Sequence, residues 1–335
     1  AALKATMLAE FRAVPVFLDE PVMDEFYHGF CNKTLWPLFH YFPSYTNYDE
    51  ASWDVYQHVN ERFCTEVSAL IQPGDSVWVH DYHLLLLPAL LRQVHPATPI
   101  GFFLHIPFPT YEVYRMLPSP WRTAILDGLL GADLIGLHTP DDAEYLRTSM
   151  ARLRATPLTD DCVHHGDRAV IVRAFPISID VARFAGAADL PEVHSEIQHL
   201  RDRLADCKVI ISVDRLDYSK GILQRLRGYH AFLEQHPDWH GQVTFILVVV
   251  PSRIGVDQYQ WMRQQIEETV GHINGRYGSI HWAPIVYQYR VLSFESLMAL
   301  YTVGDVALIT PLLSLIHISE PTRLRRISYA VFCLK

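Results

Sequence analysis

No apolar run in the chain approaches the ~18 residues that a membrane-spanning helix requires. The first residues, Ala1-Ala2-Leu3-Lys4, lack the layout of a signal peptide, and the absence of an initiator Met hints at an internal start. Cysteine is sparse. Cys31, Cys64, Cys162, Cys207 and Cys333 form no CxxC pair, which argues against a zinc site or a disulfide framework and suits reduced thiols in a cytoplasmic protein. Basic charge is also short, with 28 Lys and Arg against 37 Asp and Glu and a formal charge of −9. That balance excludes a sequence-independent nucleic-acid binder or a membrane-surface binder, since either needs a basic face for phosphates. An anionic ligand must therefore meet a local cluster of cations.

What is present is enough chain for two domains: 335 residues, 50% apolar and 12% aromatic, ample for packed cores. From about residue 76, short β-branched or aromatic runs alternate with helical patterns, the signature of βαβ units and a mostly parallel sheet. Residues 76–80, 100–104, 134–137 and 169–175 read as strands, with a helical stretch from Leu84 to Val94 between the first two. After Pro176 comes a polar helical segment over 192–204. A second strand series follows at 208–213, 243–250, 280–286 and 306–310. The boundary is placed near residue 180, giving domains 1–180 and 181–312, each a doubly wound α/β sheet. Ligands of such sheets bind at the carboxyl ends of strands, so two facing domains would put a site in the cleft between them.

The segment Arg215-Leu216-Asp217-Tyr218-Ser219-Lys220-Gly221 joins the 208–213 strand to a helix beginning near Ile222. Two cations at a strand-to-helix turn, with backbone N–H groups and the positive helix end, favour an anion. The plainer reading is a solvated turn in which Asp214 and Asp217 neutralise those cations. Arg253, just past the most apolar strand, lands at the same edge of the sheet. In the first domain His80-Asp81-Tyr82-His83 and Leu104-His105-Ile106-Pro107 also fall at strand ends. His80, Asp81, His83 and His105 are conceivable metal ligands, but HxxH without a nearby Glu is common and buried histidines usually bond to backbone. Asp81 as general acid or base lacks a partner carboxylate at a diagnostic spacing. Trp36, amid apolar residues, and Trp53 supply aromatic faces that either stack on a sugar or pack a loop onto the domain.

Together LWPLFHY (35–41), HDYHL (80–84), FFLHIPFP (102–109), RLDYSKG (215–221), INGRYG (273–278) and VALITPL (306–312) resemble the trehalose-6-phosphate synthases. These are retaining glycosyltransferases of the GT-B fold, an α/β architecture with two facing Rossmann-like domains and the active site in their cleft. The resemblance spans residues 15 to about 312. It implies transfer of glucose from UDP-glucose to glucose 6-phosphate by front-face attack, with no metal and no other cofactor. Carried over, Arg215 and Lys220 hold the UDP diphosphate and stabilise it as leaving group. Arg253 and Tyr41 bind the acceptor phosphate, Trp53 lines the acceptor sugar, Asp81 bonds acceptor hydroxyls and His105 contacts donor glucose. The 287–305 stretch looks closest to the bacterial type in which a phosphatase domain follows the synthase. Oligomerisation is compatible with all of this. The alternatives are a relative that uses another acceptor, such as glycerol 3-phosphate, and a non-catalytic regulatory homologue, which has no chemical need for Asp81, His105, Arg215 and Lys220 together.

The sequence departs from the family pattern at both ends. The family's first strand and donor-closing glycine loop would lie upstream of Ala1. After Leu312 the family's ribose-binding Glu and the loop before it give way to LSLIHISEPTRLRRISYAVFCLK, which resembles translated sequencing adapter. The expectation is that residues 313–335 are a non-native tail with few contacts, and that this 335-residue chain alone does not make trehalose 6-phosphate. The tail carries four cations, Arg323, Arg325, Arg326 and Lys335, against one anion, Glu320, so the remainder is more acidic than the whole. An amphipathic helix there is disfavoured by Pro321 and by the lack of a 3.6-residue period.

Overall fold

The computed structural model describes residues 2–204, 207–252, 257–312 and 330–333, the last four by their backbone. The chain divides into two compact units, Ala1–Ile177 and Ser178–Lys335. The first is built on strands β1 (Val77–His80), β2 (Ile100–Phe103), β3 (Leu134–Leu137), β4 (Leu158–Thr159), β5 (Cys162–His165) and β6 (Arg168–Ala174). Their order across the sheet is β1-β2-β3-β6-β5-β4. The four strands β1, β2, β3 and β6 are parallel, and β5 and β4 fold back antiparallel on the far edge. This hairpin is a departure from the expected βαβ pattern, which contained no strands between 137 and 169. Its strands are only two and four residues long, too short for an alternating pattern to stand out.

The second unit contains β7 (Lys208–Arg215), β8 (Val243–Val250), β9 (Ile285–Tyr289), β10 (Val306–Ile309) and β11 (Ala330–Cys333), in the order β11-β10-β7-β8-β9. All pairs are parallel except β10 with β11. β8 is central and buried on both faces, as its continuous apolar run requires. Because side chains alternate, Phe245, Leu247 and Val249 enter one core with Leu226, Tyr229 and Ile266, whereas Ile246 and Val248 enter another with Leu300.

The strand expected over 280–286 begins only at Ile285. Ile280 is 97% exposed, the Trp282 indole donates to Val243 O (2.9 Å), and Pro284 has no N–H for a ladder, so 279–284 forms a turn before the strand. The tail expectation also needs correcting over four residues. Ala330–Cys333 pair antiparallel with β10, Val306 opposite Cys333 and Ile309 opposite Ala330. An edge strand offers a row of unused N–H and C=O groups, and an Ala-Val-Phe-Cys segment is apolar and β-prone enough to take them. Residues 313–329, 334 and 335 lie outside the described residues.

The chain's direction through each sheet places the sites. In the first unit β1, β2, β3 and β6 succeed one another in one direction. In the second, β7, β8 and β9 run one way and β10 returns to the other side of β7, so the strand order reverses between β10 and β7. A crevice opens beyond the carboxyl ends of the strands at such a switch point. No helix of the described residues is long and apolar enough to cross a membrane.

Candidate functional site

In the first unit the candidate residues gather where β1, β2 and β3 end. Asp81 follows β1 with φ 72° and ψ 169°, a backbone region essentially reserved for glycine. Its N–H donates to Phe103 O (2.7 Å), and its Oδ1 accepts from the N–H groups of Tyr82 (3.0 Å) and His105 (3.2 Å). The carboxylate thus joins the ends of two strands, and Asp81 and His105 meet. The strained turn is held from below by the helix Glu50–Ser68. Buried Tyr56 donates to Tyr82 O and accepts from the Leu85 N–H, while the buried Asn60 amide donates to His83 O. Nothing in the motifs singled out Tyr56 or Asn60; polar residues at helical spacing on an otherwise apolar face were the available signal.

His80 Nδ1 and His105 Nε2 share a hydrogen at 2.9 Å. Burial, with His105 as a further cause, holds the His80 imidazole below its ordinary value. His138, just beyond β3, is 2% exposed, and among the described residues neither ring nitrogen makes a hydrogen bond of normal geometry. Its acidity is shifted in the same direction, again by burial first and by His105 next. The His80 and His138 imidazoles are thereby biased toward the neutral form, which gives or takes a hydrogen bond rather than binding an anion. Among the described residues no three His, Cys, Asp or Glu side chains are grouped to hold a metal.

Tyr41, with φ 61°, accepts the Thr110 N–H at its phenol oxygen (2.9 Å), so it touches the segment that follows His105-Ile106-Pro107. Burial is the leading reason its phenol is shifted up. Trp53 is 5% exposed, with its ring packed against Phe30, Tyr56 and Trp121 at centroid distances of 5.1, 5.8 and 5.5 Å. Nearly all of its area serves this aromatic cluster. Its helix position, spaced for the core, takes the ring with it. Trp36 is likewise buried, stacked on His40 at 4.0 Å.

In the second unit Arg215 is the last residue of β7, and Lys220 closes the turn before the helix Ile222–Gln235. Asp217, fully buried, accepts from the Ser219 N–H (2.9 Å) and the Tyr259 hydroxyl (3.1 Å). Gly221 has φ 64°, and a Cβ there would lie 2.4 Å from Thr310 O, so only glycine fits. The Leu312 N–H donates to Ser219 O (2.7 Å). The turn bearing Arg215 and Lys220 is thus seated against the residues that leave β10, at the switch point. Asp217 is buried and used within the turn; the Asp214 carboxylate pairs with Arg225 (2.7 Å), not with Arg215. The turn is largely buried rather than solvated, and Lys220 acts electrostatically on the Asp214 carboxylate that Arg225 pairs with.

Arg253 lies outside the described residues; Ser252, its neighbour, follows the end of β8. A cavity of about 380 Å³ in the second unit is lined by Leu216, Ser252, Tyr259, Arg263 and Tyr289 among others, and by neither Arg215 nor Lys220. It flanks β8 and β9, on the side of β7 away from the switch point.

The family model for glycosyltransferase family 20 matches residues 1–315. The chain is 48% identical over 298 residues to the bifunctional trehalose-6-phosphate synthase/phosphatase of Thermoproteus tenax, covering 89% of this chain and 41% of that protein. It is 42% identical to the UDP-forming alpha,alpha-trehalose-phosphate synthase of Yarrowia lipolytica, covering 90% of this chain and 65% of the relative. Among solved structures, a UDP-forming synthase from Burkholderia xenovorans in complex with glucose-6-phosphate superposes with a TM-score of 0.83 at 32% identity, over 89% of this chain and 66% of that one. An E. coli protein bound with UDP-2-fluoro glucose gives 0.82 at 36%, over 88% and 65%. The α/β fold with two parallel-rich sheets matches these GT-B structures. The chain spans less than two thirds of the length of these relatives.

Proposed function

Since the chain belongs to glycosyltransferase family 20, we propose that it is the synthase part of an enzyme that moves glucose from UDP-glucose to glucose 6-phosphate, forming α,α-trehalose 6-phosphate and UDP. The observation that carries the proposal is the Arg215–Gly221 turn. It presents two cations and a helix start at the switch point of a parallel sheet, where a nucleotide diphosphate binds in folds of this kind. Relatives solved with glucose-6-phosphate and with a fluorinated UDP-glucose supply the two substrates by analogy.

In this mechanism the bond from the anomeric carbon to the UDP oxygen breaks as the bond to the acceptor hydroxyl forms on the same face. The acceptor's proton passes to the departing diphosphate oxygen, so configuration is retained. Arg215 and Lys220 stabilise the charge that develops on that diphosphate, a contact worth more in the transition state than in the bound donor. They take the place a metal ion fills in other transferases, and no cofactor is needed. His105 contacts the donor glucose, Asp81 bonds the acceptor hydroxyls, and Tyr41, Trp53 and Arg253 hold the acceptor and its phosphate. Domains 1–180 and 181–312 divide this work between acceptor and nucleotide sugar. The family match ends at residue 315, which supports a foreign tail from residue 316 onward. Cytoplasmic residence fits free thiols and both charged substrates.

The test uses the uninterrupted reading frame around this chain, with the 335-residue product alongside. UDP release from UDP-glucose should depend on glucose 6-phosphate and should yield trehalose 6-phosphate. Faster release with glycerol 3-phosphate would reassign the acceptor, and comparable turnover by the 335-residue product would overturn the expectation that it is inactive alone.

A further inference from the structure

Arg225 lies in the first turns of the helix Ile222–Gln235, outside the strand-to-helix motif, and its side chain has no exposed surface. Each nitrogen of its guanidinium donates a hydrogen bond. Nη1 meets the Asp214 carboxylate (2.7 Å) and the Ser212 hydroxyl, both on β7; Nε meets the Thr310 hydroxyl (3.1 Å), just past β10; Nη2 meets the Lys220 backbone carbonyl (3.0 Å). One planar group therefore ties three segments that converge only at the switch point. Stability alone does not account for it, since a buried ion pair is often no better than apolar residues of the same volume. A rigid fork with donors in fixed directions is what a fixed relation among three backbones requires, and lysine, a single point charge, cannot supply it.

Two further contacts bracket this fork. Gly221 packs with no room for a Cβ against Thr310 O, and the Leu312 N–H donates to Ser219 O (2.7 Å). The turn bearing Lys220 and the exit of β10 thus move together or not at all, and Arg225 is the buried link between them. We propose that Arg225 is a positioning residue for diphosphate binding: it fixes the Lys220 backbone against both strands flanking the crevice, so that the Lys220 ammonium is preset for the anion. This rests on the proposed diphosphate role of Lys220. It adds that the role depends on a second cation that never touches the ligand.

The test is made on the 335-residue chain. Amide hydrogen exchange should show the N–H groups of Ser219, Lys220 and Gly221 exchanging about tenfold faster in Arg225→Lys, the scale of one charge-assisted hydrogen bond, with β8 amides unchanged. Thr310→Val, which keeps the Arg225–Asp214 pair, should move the same amides in the same direction and guards against an Arg225→Lys chain that does not fold. Equal acceleration of turn and β8 amides would mean a global role and overturn the proposal. UDP titration then completes a cycle. Lys220→Ala should weaken UDP binding, Arg225→Lys should weaken it by up to about tenfold, and the double variant should be no weaker than Lys220→Ala, because coupled residues are non-additive. Additive losses, or no loss in Arg225→Lys while Lys220→Ala is weakened, would overturn the positioning role alone. Unchanged UDP affinity in Lys220→Ala would instead overturn the diphosphate reading beneath it.

Discussion

Asp81 holds a backbone conformation that an L-residue reaches only at a cost of about 1–3 kcal/mol, and its carboxylate offsets part of that by accepting two backbone N–H groups. The two contributions can be separated by substitution. Asp81→Ala removes the carboxylate and keeps the strain, whereas Asp81→Gly removes both. The glycine variant is expected to melt above the alanine variant, by a difference of roughly 1–2 kcal/mol in denaturant unfolding. An alanine variant as stable as the glycine one would mean that the residue does not occupy this conformation. Lys220 makes a different prediction, since its proposed role lies in the transition state. In the complete enzyme Lys220→Ala should lower kcat by about a hundredfold or more, on the scale of losing one preorganised contact to developing charge. A raised KM with kcat unchanged would point to uniform substrate binding.

Gly221 and two strand ends carry the predictions that belong to elements. With φ 64° and a carbonyl 2.4 Å from the missing Cβ, Gly221→Ala should destabilise the second unit by more than the ~1 kcal/mol of an ordinary glycine-to-alanine change in the left-handed region. Chemical denaturation followed at Trp239 or Trp282 reads this. At the end of β1 and just beyond β3, exposed His80 and buried His138 both have pKa values held below the ordinary imidazole value of about 6.5, by desolvation first and by His105 next. The unfolded chain takes up protons there that the folded chain refuses, so their contribution to stability is complete above pH ~6.5 and is lost as pH falls below it. His138→Gln should flatten the fall in melting temperature between pH 7.5 and 5.5; an unchanged slope would remove His138 from the account. Strands of this kind were legible in the sequence where both faces are buried: Val243–Val250 and Leu134–Leu137 read with the bounds they have. The hairpin β4–β5 was not, being too short for a period. The start of β9 was misread because Ile280 and Trp282 are apolar but belong to a turn. Arg225 was also illegible, since an arginine on a helix looks solvated until residues 11 and 85 positions away close around it.

Each unit has its own sheet and its own buried apolar residues, so unfolding of the whole chain should not be two-state. A calorimetric enthalpy larger than the van't Hoff value is expected, and equality would show that the two cores melt as one. Activity of the complete enzyme should survive excess chelator if Arg215 and Lys220 meet the diphosphate charge as proposed; loss restored by magnesium or manganese would return His80, His83 and His105 to consideration as ligands. The sequence showed which segments are strands but not their order across a sheet. The reversal at β10 that marks the proposed nucleotide crevice therefore became visible only in three dimensions. That reversal also leaves β10 at the margin of the parallel set, where Ala330–Cys333 has paired with it antiparallel. Backbone hydrogen bonds carry little side-chain information, so this berth is open to other β-prone tetrapeptides placed after residue 335. A purification tag fused there would compete for the same berth. Tags rich in proline or charge should leave it free, and apolar ones should occupy it, so the choice of tag becomes a variable in any measurement made on the second unit.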